Sequence, residues 1–254
     1  GSTRFEDNDI KVLSRKYDVV VNEPNFFNLG KLISNIKNTD LIFYWFPNDY
    51  KFFVSIIGKV FKKKIFVVGG GQMSTADNKK NRKFAGVKYR IFHRCLGILC
   101  LKLADKLVAV SKYELDGLSR YVNKKSIKLI YNSINTDLFS YELENKQKDL
   151  IITVSSLINT HYLRKGLDIF VKLSNELPNY KFVLIGKDCK DGTFHKIQKM
   201  AGDNFTITGS VSDSELKEWM CKASMYCQFS RQEGFGVALA EAMACGCIPI
   251  VSKY

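Results

Sequence analysis

The run Ser230-Arg-Gln-Glu-Gly-Phe-Gly-Val-Ala-Leu-Ala-Glu-Ala-Met-Ala-Cys-Gly246 carries the fold. The residues before it, Met225–Phe229, are apolar and β-rich, while Ala238, Ala240, Ala242 and Ala244 are helix formers small enough to pack closely on a sheet. The pattern predicts strand, turn and helix. Gly234 and Gly236 fall in the turn, where a missing side chain lets the backbone bend tightly or lets a ligand reach it. A helix opening here offers free N–H groups and the positive end of its dipole, which suit phosphate or sugar oxygens. Glu233 stands in the turn and Glu241 over a turn into the helix. Ionised carboxylates accept hydrogen bonds from adjacent hydroxyls, which sugars and riboses supply. Spacing alone fits a plain strand-turn-helix with two surface glutamates equally well, and at this level both readings stand.

The same alternation runs through the chain. Candidate strands are Tyr17–Val21, Leu41–Trp45, Lys64–Val68, Leu107–Val110 and Ile127–Ile130. After the polar stretch Glu142–Lys148 the pattern restarts with Leu150–Val154, Lys181–Ile185, Phe205–Thr208, Met225–Phe229 and Ile248–Val251. Strands separated by helical stretches predict parallel sheets built from right-handed crossovers. The expected organisation is therefore α/β, with two Rossmann-like domains over residues 1–147 and 148–254 and Glu142–Lys148 as the linker. The chain reads as opening on a helix, Ile10–Tyr17, with Asp7, Asn8 and Asp9 as cap candidates, and as closing on a strand. A Rossmann-like domain normally opens on a strand and a Gly-rich turn, so the expectation is a chain truncated at both ends.

With 46% hydrophobic and 25% charged residues the composition is that of a globular protein. No apolar run reaches the ~18–20 residues of a membrane span, and none follows the N-terminal charge as in a signal peptide. The cysteines are odd in number, seven, and hold no Cys-x-x-Cys pair; Cys245 and Cys247 read as small buried thiols flanking a turn, and a reducing cytoplasm is expected. No metal site is expected, since His93, His161 and His195 stand isolated. The net charge of +14 is uneven: residues 1–147 hold 26 Lys+Arg and 14 Asp+Glu, hence +12. The first half should meet something acidic.

Several ordered motifs resemble a known family. Residues 230–246 are similar to the Glu-x7-Glu signature of the retaining GT-B glycosyltransferases of family 4. Ala104–Ser111 resembles the last strand of that family's N-domain, and Ile130–Phe139 its entry to the linker. Val154–Leu157 through Arg164-Lys165-Gly166-Leu-Asp168 resembles the phosphate-binding start of the C-domain, and Gly209–Leu216 a turn further on. The likeness is good over about residues 100–254 and loose before. It implies a GT-B fold, two Rossmann-like domains facing a cleft. The implied reaction is transfer of a hexosyl group from a nucleoside diphosphate sugar, UDP or GDP, to an acceptor hydroxyl with retention, needing no metal or cofactor. The acceptor would be a glycan, a lipid or a small molecule.

By the same resemblance Glu233 holds donor-sugar hydroxyls, and Gly234, Phe235 and Gly236 present backbone N–H groups to the sugar and diphosphate. Glu241 takes the ribose, and Lys165 neutralises the leaving diphosphate. The family carries a Gly-Arg pair where this chain has Ser155-Ser156. A bidentate contact is lost there, Ser156 standing in the donor site with Arg164 to compensate. Gly69-Gly70-Gly71 follow a strand on the acceptor side, where relatives often carry a His; none is near, and no base is assigned.

Lys79, Lys80, Arg82, Lys83, Lys88, Arg90 and Arg94 place seven cations and no acid in sixteen residues. A helix with a solvated basic face and a patch for an anionic membrane both fit, the second implying a peripheral enzyme on the inner face. Nucleic acid is not expected, because no binding motif accompanies the charge. Two rivals to the transferase remain. A nucleotide-dependent oxidoreductase requires a Gly-x-Gly-x-x-Gly turn, which the chain lacks. A non-catalytic GT-B fragment or nucleotide-binding scaffold requires only the fold.

Overall fold

The computed structural model describes residues 4–22, 28–69, 91–141 and 146–253, with backbone only at 4–5 and 91–94. Gly70, Gly71, Lys79, Lys80, Arg82, Lys83, Lys88 and Arg90 lie outside the described residues, as does the side chain of Arg94. By contacts the chain divides after Asn132 into two compact units.

In the first unit the elements run α1 (Arg4–Ser14), α2 (Leu29–Lys37), β1 (Leu41–Trp45), α3 (Asp49–Val60), β2 (Lys64–Val68), α4 (Ile91–Leu103), β3 (Lys106–Ala109), α5 (Lys112–Leu118) and β4 (Ile127–Leu129). The described strands form one parallel sheet in the order β1-β2-β3-β4. Its core is aliphatic, with Ile65, Val67, Leu107 and Ala109 under Leu32, Ile36, Val54 and Leu101 from the helices. Asn48 and Ser111 cap α3 and α5 by accepting the N–H groups of Lys51 and Glu114. Trp45 closes β1 and donates its indole N–H to Asp9 at 2.9 Å.

Two expectations fail here. The first helix spans Arg4–Ser14, so Asp7 and Asp9 lie inside it rather than capping it. Glu6 and Asp7 occupy its first turn, where carboxylates offset the helix dipole. Tyr17–Val21 is not a strand: Tyr17, Val20 and Val21 are exposed and pair with no neighbour in the sheet. β-branched side chains favour a strand only where cross-strand packing takes them up.

The second unit runs β5 (Gln147–Val154), α6 (Asn159–Arg164), α7 (Leu167–Glu176), β6 (Lys181–Ile185), α8 (Thr193–Met200), β7 (Phe205–Gly209), α9 (Asp213–Lys222), β8 (Ala223–Gln228), α10 (Val237–Ala244) and β9 (Ile248–Val251). Its described strands form a parallel sheet in the order β7-β6-β5-β8-β9. Alternate residues of each strand point to opposite faces. Leu150, Ile152, Val183 and Tyr226 therefore pack against Leu216, Met220 and Ala242, while Ile151, Phe182, Leu184 and Cys227 pack against Phe170, Val171 and Ile197. Trp219 of α9 lies against the first of these cores.

Gln147 and Lys148, read from sequence as linker, open β5. Lys146 just before it donates to the carbonyls of Met220 (2.9 Å) and Ala223 (2.7 Å), and Phe139 is buried in the same core that Trp219 packs on. Cys245 and Cys247 are buried around the left-handed Gly246, as the sequence suggested. All seven cysteines are free. Among the described residues no helix is long and apolar enough to cross a membrane.

Candidate active site

The order β7-β6-β5-β8-β9 makes the chain reverse direction across the sheet between β5 and β8. Crossovers leave on opposite faces at such a point, so the loops at the carboxyl ends of the two strands part and leave a crevice. Both motifs expected from sequence to bind the donor fall there. Ser155 to Gly166 follow β5, and Phe229 to Gly236 follow β8.

The two loops are locked together by backbone. Gly166 has φ +70°, and a Cβ on it would run into the Phe229 carbonyl, so no other residue brings the chains this close. Arg231 donates its N–H to the Arg164 carbonyl at 2.8 Å. Its guanidinium forks onto Asp168 of α7, at 2.7 Å to each carboxylate oxygen, and also donates to the Leu163 carbonyl. Ser252 beyond β9 donates its hydroxyl to the Ser230 carbonyl at 2.7 Å.

Held this way, Lys165 and Glu233 meet. Lys165 Nζ donates to Glu233 Oε2 at 2.5 Å, with side chains 23% and 24% exposed. Glu233 also accepts from the Ser230 hydroxyl (3.3 Å) and the Gly234 N–H (3.2 Å). Burial works to raise the Glu233 pKa, yet Lys165, Arg164 and the Gly234 N–H outweigh it and hold the carboxylate below its usual 4.5. Burial lowers the pKa of Arg164 from its ordinary value. His161 shares the face of Arg164 and Lys165 at i, i+3 and i+4. Burial, with those two cations, pushes its imidazole down to about 4, so it is neutral at pH 7. The site thus gathers positive charge around one ionised carboxylate.

Gly236 opens α10 with φ +87°, and a Cβ there would come within 2.7 Å of the Gln228 amide. At Gly234 a Cβ would meet nothing within 4 Å. Glu241 lies inside α10 and is 2% exposed; with Glu233 it acts on buried Tyr226, whose phenol is pushed upward mainly by burial. Ser156 stands in the loop after β5, beside buried Ser155. The structure so gathers Ser156, Arg164, Lys165, Glu233, Gly234, Phe235, Gly236 and Glu241 at two adjoining strand ends of one unit. Gly69 belongs to the other unit, where it ends β2 against Leu118 and Glu114. Sequence reading missed Arg231 and Asp168. Opposite charges 63 residues apart carry no signal of pairing until the fold is known.

Residues 135–254 match the family model described as Glycosyl transferases group 1. That similarity lies in the second unit. It covers the whole sheet of the second unit and both loops of the site. Among curated proteins the chain is similar to an uncharacterized glycosyltransferase of Methanocaldococcus jannaschii, 25% identical over 87% of this chain and 58% of that one. It is also similar to a GDP-mannose:cellobiosyl-diphosphopolyprenol alpha-mannosyltransferase of Komagataeibacter xylinus, 26% identical over 64% of this chain and 42% of that one. The chain thus spans about half the length of these relatives. Among solved structures the Anabaena protein HepE, in complex with UDP and glucose, superposes with a TM-score of 0.66 at 15% identity, over 95% of this chain and 69% of that one. With the two parallel sheets, this likeness gives the chain the GT-B fold.

Proposed function

We propose that the chain is a retaining hexosyltransferase of family 4, acting from a nucleoside diphosphate sugar on an acceptor hydroxyl. The observation that carries this is the meeting of Lys165 and Glu233 at the switch point of the second sheet. Lys165 and Arg164 take the diphosphate, and Glu233 takes hydroxyls of the sugar being moved. Open space at Gly234, next to the first helical N–H groups of α10, lets the diphosphate approach backbone. Glu241 takes the ribose by exchanging its present partners for the two hydroxyls.

In the reaction the bond from the anomeric carbon to the diphosphate oxygen breaks, and a bond from that carbon to the acceptor oxygen forms on the same face. The acceptor's proton passes to the leaving diphosphate. Lys165 and Arg164 stabilise the charge that develops there, so the catalysis is electrostatic and positional. UDP with glucose in the Anabaena protein, and GDP-mannose in the name of the Komagataeibacter relative, support such a donor. The polyprenol diphosphate in that same name supports a lipid-linked acceptor. Lys79–Arg94 then serves an anionic inner membrane face, and seven free thiols suit a cytoplasmic enzyme.

Lys165 and Glu233 satisfy each other before any donor arrives, so ligand must replace their contact. Calorimetric titration of UDP and GDP tests this. Lys165→Ala should weaken diphosphate binding by about tenfold to a hundredfold, the worth of a charged hydrogen bond. Glu233→Gln should bind bare nucleoside diphosphate at least as tightly as the parent, because it releases Lys165, while transfer collapses. No heat with any nucleoside diphosphate or its sugar would overturn the reading.

A further inference from the structure

The short helix α6 and its C-cap, Lys165, set His161, Arg164 and Lys165 on one face. The segment is fixed from several sides. Its first N–H, at Asn159, donates to Asp191 Oδ2 at 2.6 Å. The Lys165 N–H donates to the His161 carbonyl at 2.7 Å. From the loop after β8, Arg231 donates to the carbonyls of Leu163 and Arg164. His161 is thus held beside the two cations proposed to take the diphosphate.

Its Nδ1 is buried and has no hydrogen-bond partner among the described residues. A buried ring in that state gains nothing from a second proton unless an acceptor and a compensating charge arrive with it. The forces on the ring fall into two sets. Burial, then Arg164, then Lys165 oppose the imidazolium; the Ser156 backbone and the Glu233 carboxylate favour it. Other charges on the surrounding elements are engaged. Asp168 of α7 holds the Arg231 fork, and Asp191 accepts the N–H groups of Asn159 and Thr193. Lys196 of α8 lies over the Tyr162 ring, 3.8 Å from its centroid. After burial, then, what keeps His161 neutral is the pair of cations on which a diphosphate would sit.

Building on the donor site proposed above, we infer that His161 is a third cation for the diphosphate, charged only while the donor is bound. The diphosphate sets two negative charges against Arg164 and Lys165, so their repulsion of an imidazolium is cancelled. Phosphate oxygens supply the acceptor that the ring lacks. The imidazole then recovers its ordinary value of 6.5 from about 4. One proton from solvent completes its second N–H, and no other bond is made or broken. Donor binding and protonation favour each other by the same factor, so the donor binds more tightly as pH falls.

The test is calorimetric titration of UDP-glucose and GDP-mannose in buffers of differing ionisation heat. Both ligands carry the diphosphate as a diester, without the phosphate ionisation near pH 6 that would confuse the proton count. The parent should bind its donor about twenty- to thirtyfold more tightly at pH 5 than at pH 7.5, and take up about 0.9 proton per donor at pH 5.5. His161→Gln, shown by thermal melts to be folded, should match the parent's affinity at pH 7.5, where the free ring is neutral. It should lose most of the gain on acidification and most of the proton uptake. A merely structural His161 would weaken binding alike at both pH values, and that result overturns the inference. So does an affinity in the parent that ignores pH, which needs no variant, or an uptake unchanged in His161→Gln. Each of these leaves the transferase reading standing. No heat with either sugar nucleotide overturns that reading, and the role of His161 falls with it.

Discussion

Glu114 is a carboxylic acid in the wrong solvent. It is fully buried on α5; one oxygen accepts the Val110 N–H at 2.8 Å, and the other finds no hydrogen-bond partner among the described residues. Burial, only partly offset by that bond, pushes its pKa up to about 7. A raised carboxyl pKa means that the fold favours the protonated form. The stability this group contributes is whole below its ordinary value of 4.5 and is lost as pH rises through about 7. Glu114→Gln keeps the shape and never ionises. Its melting temperature should match the parent near pH 4.5 and exceed it at pH 8, by up to about 3 kcal/mol in stability. Parallel melting curves across that range would show that the carboxyl stays neutral or finds a partner.

At the scale of elements, the bond between the loop after β8 and α7 rests on Arg231 and Asp168. Their side chains are 20% and 16% exposed, so the pair is screened less than a surface pair but is not fully desolvated. Arg231→Lys keeps the charge and loses the planar fork. It should weaken nucleoside diphosphate binding about five- to tenfold by loosening the loop that places Arg164 and Lys165, with a smaller change in melting temperature. Asp168→Asn should act likewise, and exchanging the two residues should restore part of the affinity. An exchanged pair no better than either single change would leave Arg231 a merely structural residue. Such pairings were invisible in the chain itself. Most strands were legible, because Lys64–Val68 and Lys181–Ile185 are apolar after their first lysine and bury in a parallel sheet, while Ile248–Val251 is a short β-branched run that pairs at the edge of one. The donor loops were legible through Gly166, Glu233, Gly234 and Gly236, whose spacing carries meaning. Tyr17–Val21 looked the same by composition and failed, since a strand is settled by its neighbour across the sheet. That Lys165 and Glu233 touch each other, 68 residues apart, is a fact of the fold alone.

At the scale of the molecule, one unit carries the residues proposed to hold the donor and the other carries most of the charge. Saturating nucleoside diphosphate should therefore protect backbone amides in residues 155–166 and 229–241 from hydrogen exchange and leave β1 to β4 at their unliganded rates. At a hundred times Kd the ligand stabilises what it binds by about 2.7 kcal/mol. Protection spread evenly over both sheets would mean that the units respond as one body. The chain supplies its own means of watching them separately. It has two tryptophans, Trp45 closing β1 in the first unit and Trp219 against a core of the second. Each unit thus holds a single tryptophan, and with Trp45→Phe selectively excited tryptophan emission reports on Trp219 and the second unit alone.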